Sequence, residues 1–257
     1  MIHPTAIVDP TAKVPASCQI GPFCRVGPDV EMGEDCELIS HVVVEGPTRL
    51  GSRNRIFPFA VIGMMPQDLK FHGEATRLEV GDDNQIRESV TIHRGTVTGL
   101  GITRVGSHCL IMAYAHIAHD CVVGDYVIMG NAATLAGHVT IEDHVSLGAF
   151  SPVHQFVTVG KYCFVGGGTV VTQDVLPFSK VASRRDVHAY GANVIGLERR
   201  GFSPERIRRI QHAYKVLLAS RRNTSQALEK LRSEGDLGDD VAQLIAFIER
   251  SQRGVIK

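Results

Sequence analysis

Aliphatic residues recur along this chain at every sixth position, and that period constrains the fold more tightly than any other feature. One register runs Ile2, Val8, Val14, Ile20, Val26, Met32, Leu38, Val44, Leu50, Ile56 and Ile62, then resumes at Val80, Ile86 and Ile92 after passing Asp68 and Glu74. A second register, displaced by one residue, runs without a gap from Val105 through Ile111, Ile117, Leu135 and Val153 to Val171. A chain with this period turns every six residues and stacks each short strand on its own copy, which is a parallel β-helix. Three hexads make a triangular coil of roughly 18 residues with the aliphatics inside. The strands of a sandwich would instead alternate, with variable spacing. Glycine often follows the aliphatic, as at Gly21, Gly33 and Gly124, where a tight corner is expected to need unusual backbone angles.

Cys18, Cys24, Cys36, Cys109, Cys121 and Cys163 all stand two residues before a repeat aliphatic. One shared phase fits small buried wall residues better than disulfides or a metal cage, and thiols of a cytosolic chain stay reduced. With 44% hydrophobic and only 6% aromatic residues in 257, the composition suits a thin aliphatic core beside a smaller appendage. Lys plus Arg balance Asp plus Glu at 27 each, so bulk charge argues for neither nucleic acid nor a membrane surface. Its distribution is uneven. Between Arg184 and Arg232 stand twelve Lys or Arg against four acids, which suggests an acidic partner or a phosphorylated ligand, or simply a solvated helix surface. No run has the length and apolarity of a membrane span or signal peptide, and a cytoplasmic protein is expected.

Interruptions of a solenoid are where a site is best sought, because an insertion that adds nothing to the stack costs conformational entropy. There are two, one from Met64 to Glu79 and one from His93 to Arg104, where the register slips by one. The expected division is a β-helix over 1–190, with loop insertions near 64–79 and 93–104, and a helical domain over 191–257. Ser203-Pro204-Glu205 reads as a helix start running to about Ser220, and Asn223 with Gln226 as a capping box for a helix to about Ser233. Asp239 or Asp240 can open a third helix, to about Ser251.

Adding 18 per coil places His119 over Gly137 and Gln155, Asp120 over His138, and Ala118 over Ala136 and His154. His116 lies just upstream. Histidine can act as a general base near neutrality, and a corner amide can donate to a developing oxyanion. His41, His108, His138 and His144 share one phase, three residues after an aliphatic, so histidine there can be a tolerated outer-wall residue. His119 has a different phase. No serine sits in an elbow motif and the cysteines are wall residues, so direct transfer between bound donor and acceptor is favoured over a covalent intermediate. Zinc held by His116, His119 and His138, as in a carbonic-anhydrase-like β-helix, is a second reading, and a non-catalytic trimeric scaffold a third.

Several segments carry a resemblance to a known family. They are Pro66-Gln67-Asp68-Leu69-Lys70, Ile86 to Thr96 (IRESVTIHRGT), Ala115-His116-Ile117-Ala118-His119-Asp120, Ala136-Gly137-His138, Val153-His154-Gln155-Phe156 and Arg199-Arg200-Gly201-Phe202-Ser203. In this ordered set, over essentially its whole length, the chain resembles the UDP-N-acetylglucosamine O-acyltransferases. The resemblance implies a left-handed parallel β-helix with a C-terminal helical domain, assembled as a homotrimer with active sites between subunits. It implies transfer of a 3-hydroxyacyl group from acyl carrier protein, a co-substrate, to the 3-hydroxyl of UDP-N-acetylglucosamine, the first step of lipid A biosynthesis, with no cofactor and no metal.

By the same likeness His119 is the general base, Asp120 its orienting acid and the Gly137 amide the oxyanion donor. Asp68, Lys70, His116, His138, His154, Gln155, Asn193, Arg199 and Arg200 would line substrate sites, and Gly167 would leave the acyl groove open for a chain of roughly fourteen carbons, an estimate that rests on the resemblance, with the arginines suiting the nucleotide phosphates. The basic segment would dock the acidic carrier. The chain departs from the family at Ser183-Arg184-Arg185-Asp186, where Gly-Asn-His is usual, and at Ile195, where an acid is common. Those departures leave open a 3-amino sugar nucleotide as acceptor.

Overall fold

The computed structural model describes residues 1–183, 187–218 and 223–256. Short strands, mostly of two residues, stack into three sheets of eight, seven and ten strands. All pairings are parallel except the last, where Ser179–Ser183 runs against Val187–Ala192. The three sheets are the faces of a left-handed parallel β-helix.

Uninterrupted coils advance by three hexads, so Val26 pairs with Val44 and Ile117 with Leu135. The interruptions are now measurable. Leu50 pairs with Val80, two whole hexads beyond a plain coil, and the aliphatic phase is kept. Val80 pairs with Val105, one hexad and one residue beyond a plain coil, and the phase slips by that residue. Repeat aliphatics such as Ile56, Ile86, Ile117 and Leu135 are fully buried in one continuous core.

Of the glycines that follow the aliphatics, Gly63 supplies an unusual angle (φ 80°), but most do not, contrary to expectation. Gly21 and Gly33 have ordinary φ, and positive φ falls two residues later, on Phe23 (58°) and Asp35 (58°). What glycine provides is room: a Cβ on Gly21 would stand 1.8 Å from the carbonyl oxygen of Ile39 in the next coil. The left-handed corner residues stack into ladders along the prism edges. His108, Tyr126, His144 and Tyr162 form one, with ring centroids 4.6 to 4.8 Å apart. Phe23, His41 and Phe59 form a second and His138 with Phe156 a third. This accounts for His41, His108 and His144 as outer-wall residues in ring stacks.

All six cysteines are free and buried. Burial pushes the thiols of Cys36 and Cys109 up to about 11 and those of Cys121 and Cys163 up to about 12, so none is a nucleophile at neutral pH.

Four helices follow: α1 (Val194–Arg199), α2 (Pro204–Leu218), α3 (Thr224–Ser233) and α4 (Asp239–Arg250). The capping box of Asn223 and Gln226 opens α3 as read from the sequence. Helix α1 was not expected, because six residues with Leu197 alone buried carry no period to detect. Ile207, Ile210, Tyr214 and Leu217 of α2 share a core with Leu176 and Phe178 at the end of the prism, and the Tyr214 hydroxyl donates to the Pro177 carbonyl. The tail returns to the prism, where Val255 bridges Asp174 and Ile256 joins the aliphatic core.

Candidate active site

Stacking coil on coil brings His119, Asp120, Gly137 and His138 to one edge. His119 Nδ1 lies 2.8 Å from Asp120 Oδ2, and its ring meets that of His138 edge to face at 5.1 Å. An ionised carboxylate accepts only, so Nδ1 carries the proton and Nε2 keeps its lone pair for an incoming hydroxyl. Beneath the ring lies Gly137, where a Cβ would stand 2.7 Å from Nε2. Only glycine admits the imidazole here.

The amide of Gly137 is also open. On another prism edge the equivalent amide is taken by a side chain of the next coil, as Ser107 N donates to Asp125 Oδ1 (2.7 Å) and Asp125 N to Asp143 Oδ1 (2.8 Å), whereas on this edge the amides of His119, Gly137 and Gln155 are all without a partner among the described residues. A free amide beside an imidazole with an open lone pair is an arrangement that can bind an oxyanion.

Asp120 is 1% exposed, and burial alone would raise its carboxyl. Bonds from Thr96 and His119 outweigh that and hold it below its ordinary value. Its oxygens also accept the Leu100 amide at 2.8 Å and the Gly101 amide at 3.1 Å. His119, Asp120 and His138 bring ligand-type atoms within 4.8 Å of one another, but a carboxylate already filled by N–H and O–H donors has no lone pair left for a cation. His116, the third residue of the alternative zinc reading, shares a hydrogen bond with the Thr91 hydroxyl at 2.7 Å.

Around this centre the other expected residues fall into two groups. His116 is held low by burial, then by His119; His138 is held low by burial against the opposing pull of Asp120 and Asp68. Asp68 lines a cavity with His93, Lys70 and Gln155 are exposed, and His154 Nδ1 lies 3.1 Å from the Gln155 carbonyl oxygen. His93, which sequence reasoning placed only in a motif, lines a cavity of about 660 Å³ with Asp68, Phe71 and Met65. It is 5% exposed, its Nδ1 has no partner among the described residues, and burial, then His116 and His119, lowers it to about 4.

The second group lies elsewhere on the chain. Asn193, Arg199 and Arg200 line a cavity of about 680 Å³ with Phe164, Lys180 and Ile195. Asn193 caps α1, its Oδ1 accepting from Gly196 N at 3.3 Å and its Nδ2 donating to the Tyr162 carbonyl at 3.2 Å. Arg200 Nη2 donates to the His144 carbonyl at 3.0 Å, on the edge that carries the His108 ladder rather than on that of His119. Arg199 is exposed, as is Gly167, where a Cβ would meet the Ala149 carbonyl oxygen at 3.2 Å. Arg184, Arg185 and Asp186 lie outside the described residues.

A triangular parallel β-helix of hexads with an open corner amide beside an acid-oriented imidazole, and no activated nucleophile among the described residues, has the form of a hexapeptide-repeat transferase. Residues 102–137 match the bacterial transferase hexapeptide family, and residues 174–256 match domain 2 of UDP-N-acetylglucosamine O-acyltransferase. Acyl-[acyl-carrier-protein]--UDP-N-acetylglucosamine O-acyltransferase of Anaeromyxobacter sp. (strain Fw109-5) is 49% identical over 256 residues, covering 100% of this chain and 99% of the relative. That of Alkalilimnicola ehrlichii is 49% identical over 199 residues, 77% of each chain. The solved UDP-N-acetylglucosamine acyltransferase of Francisella novicida superposes with a TM-score of 0.96 at 39% identity, covering 100% of this chain and 94% of the other. LpxA of Acinetobacter baumannii does so at 0.95 with 44% identity, covering 100% and 99%. The chain belongs to the UDP-N-acetylglucosamine O-acyltransferase family.

Proposed function

We propose that this protein transfers a 3-hydroxyacyl group from acyl carrier protein to the 3-hydroxyl of UDP-N-acetylglucosamine, the first step of lipid A biosynthesis. The observation that carries the mechanism is the His119 imidazole, oriented by Asp120 and seated on the free Gly137 amide. A sugar hydroxyl is far less acidic than imidazolium, so Nε2 takes the proton as the oxygen attacks the thioester carbonyl. The tetrahedral oxyanion accepts the Gly137 N–H. Collapse expels the carrier thiolate, which recovers the proton from His119, leaving an ester and a free thiol.

The two groups of residues on different prism edges are what a site shared between neighbouring copies of a homotrimer would require. One protomer would supply the His119 edge and another the cavity of Asn193 and Arg199, whose guanidinium suits the nucleotide phosphates. Arg200 lines the same cavity, with two of its guanidinium donors directed to backbone carbonyls and others left for a ligand. Gly167 would leave space for a long acyl chain. Among the described residues no helix is long and apolar enough to cross a membrane, and we place the reaction in the cytoplasm, where acyl carrier protein would dock on the basic helical face.

His119→Ala tests this reading. Loss of transfer from acyl carrier protein to UDP-N-acetylglucosamine is expected, and near-full activity would refute the base assignment. Mass spectrometry of the product separates an ester from the amide that a 3-amino acceptor would give.

A further inference from the structure

The second interruption of the prism closes on a single carboxylate. Asp120 Oδ1 takes the amides of Leu100 at 2.8 Å and Gly101 at 3.1 Å; Oδ2 takes the Thr96 hydroxyl at 2.6 Å and His119 Nδ1 at 2.8 Å. The Thr96 amide straddles both oxygens, at 3.1 and 3.0 Å. From the other side Thr103 Oγ1 accepts the Asp120 amide at 2.9 Å, at a residue whose backbone is left-handed with φ of 59°. Thr96 and Thr103 are 2% and 0% exposed. Between them Gly99 is pressed against the centre: a Cβ there would stand 2.5 Å from Asp120 Cγ and 2.6 Å from His138 Cε1.

We propose that Thr96 is a positioning residue for the general base, and that the 93–104 loop is the clamp through which it acts. A carboxylate on a single bond can rotate and offer either oxygen. With Oδ1 filled by loop amides and Oδ2 fixed by the Thr96 hydroxyl, one lone pair is left in one place, and the Nδ1–H of His119 goes there. The imidazole plane is then set, and with it the direction of Nε2. The same donors keep a buried carboxylate ionised, which the orienting role needs. The inference rests on His119 being the base.

The test uses the full-length enzyme. Thr96→Val is expected to lower kcat by about 10- to 100-fold, the range for losing a hydrogen bond to a charged group, with KM for both substrates held within about twofold. Thr96→Ser, which keeps the hydroxyl, is expected to recover to within about threefold. Placed on Asp120→Asn, a residue type that tolerates left-handed backbone, Thr96→Val should cost less than about threefold, because nothing remains for it to act through. A readout free of turnover is the low-field proton resonance of His119 Nδ1–H. It should be present in the unsubstituted protein and in Thr96→Ser, and lost to solvent exchange in Thr96→Val. If Thr96→Val does not fold, Gly99→Ala perturbs the same carboxylate and should abolish the same resonance.

Normal kcat with a retained resonance, additive costs in the double substitution, or no low-field resonance in the unsubstituted protein would each overturn the inference. Absence of acyl transfer in the unsubstituted protein would refute the proposed function instead, and the resonance would still decide the clamp.

Discussion

Gly137→Ala is the sharpest single perturbation of the proposed mechanism, because it adds one methyl group where the base lies. Gly137 is not among the residues with positive φ, so alanine fits its backbone without strain. The new Cβ would stand 2.6 Å from His119 Cε1, 2.7 Å from Nε2 and 3.2 Å from Nδ1. Ordinary carbon contacts begin near 3.5 Å, so the ring must retreat by about 0.8 Å. It has little freedom to do so, since Nδ1 is tied to Asp120 at 2.8 Å and one ring edge meets His138 at 5.1 Å. Retreat lengthens the bond to Asp120 and turns Nε2 off its line. A displacement of about 1 Å at a reacting group costs on the order of 10²-fold, and a weakened bond to a carboxylate, worth about 1.5–3 kcal/mol, points to the same range.

The amide of residue 137 survives the substitution, so oxyanion stabilisation is not what is removed. Steady-state transfer from acyl carrier protein to UDP-N-acetylglucosamine should show kcat down by about 10²-fold, with the melting temperature lowered by several degrees, since overpacking a buried position costs about 1–3 kcal/mol and each kcal/mol shifts it by about 2–4 °C. A variant with kcat within about twofold of the parent would show that the imidazole does not work from the position seen here.

Three other outcomes are expected. His93, at about 4, and His116, also held low, are more readily protonated in the unfolded chain, so their contribution is full above about pH 6.5 and is lost as pH falls towards 4; urea titrations should show about 2–3 kcal/mol of this loss removed by His93→Gln. In the basic segment Arg206, Arg209, Lys230 and Arg232 are paired with acids, while among the described residues Arg208 and Lys215 have no acid partner. Arg208→Ala and added salt should each raise KM for acyl carrier protein with kcat unchanged, and a flat response to both would remove the docking proposal. Exhaustive dialysis against a chelator should leave the transfer rate intact, because the donors on Asp120 fill the oxygens a cation would need; activity lost on dialysis and restored by zinc would reverse that reading.

Much of the site was legible because the chain is periodic. A coil of constant length makes sequence separation a direct measure of stacking, so His119, Gly137 and Gln155 could be placed on one edge by addition alone. The same arithmetic failed wherever the period fails. Thr96 and Asp120 meet across an aperiodic loop, and nothing in their spacing announces four loop donors on one carboxylate. His93 stood in plain view within a motif, yet the ring it meets is that of His116, on a strand that the intervening loop carries out of the plain coil spacing. Asn193 and Arg200 line one cavity, and no period announces that Asn193 also caps α1 or that Arg200 also holds the His144 carbonyl.

The glycines carry the same lesson. Their place in the repeat was evident, while the reason for it was not, since a close approach between coils is invisible until the coils are stacked.

By itself the sequence determined the class of fold, the phase of every wall residue, the inertness of the six cysteines and the edge where chemistry could gather, because each follows from a repeat that maps one dimension onto three. Only the tertiary structure decided which oxygen of Asp120 meets His119, that the Gly137 amide is free, and that the cavity of Asn193 and Arg199 lies on another edge. Those depend on side chains and loops that obey no period, and their geometry exists only once the prism is wound.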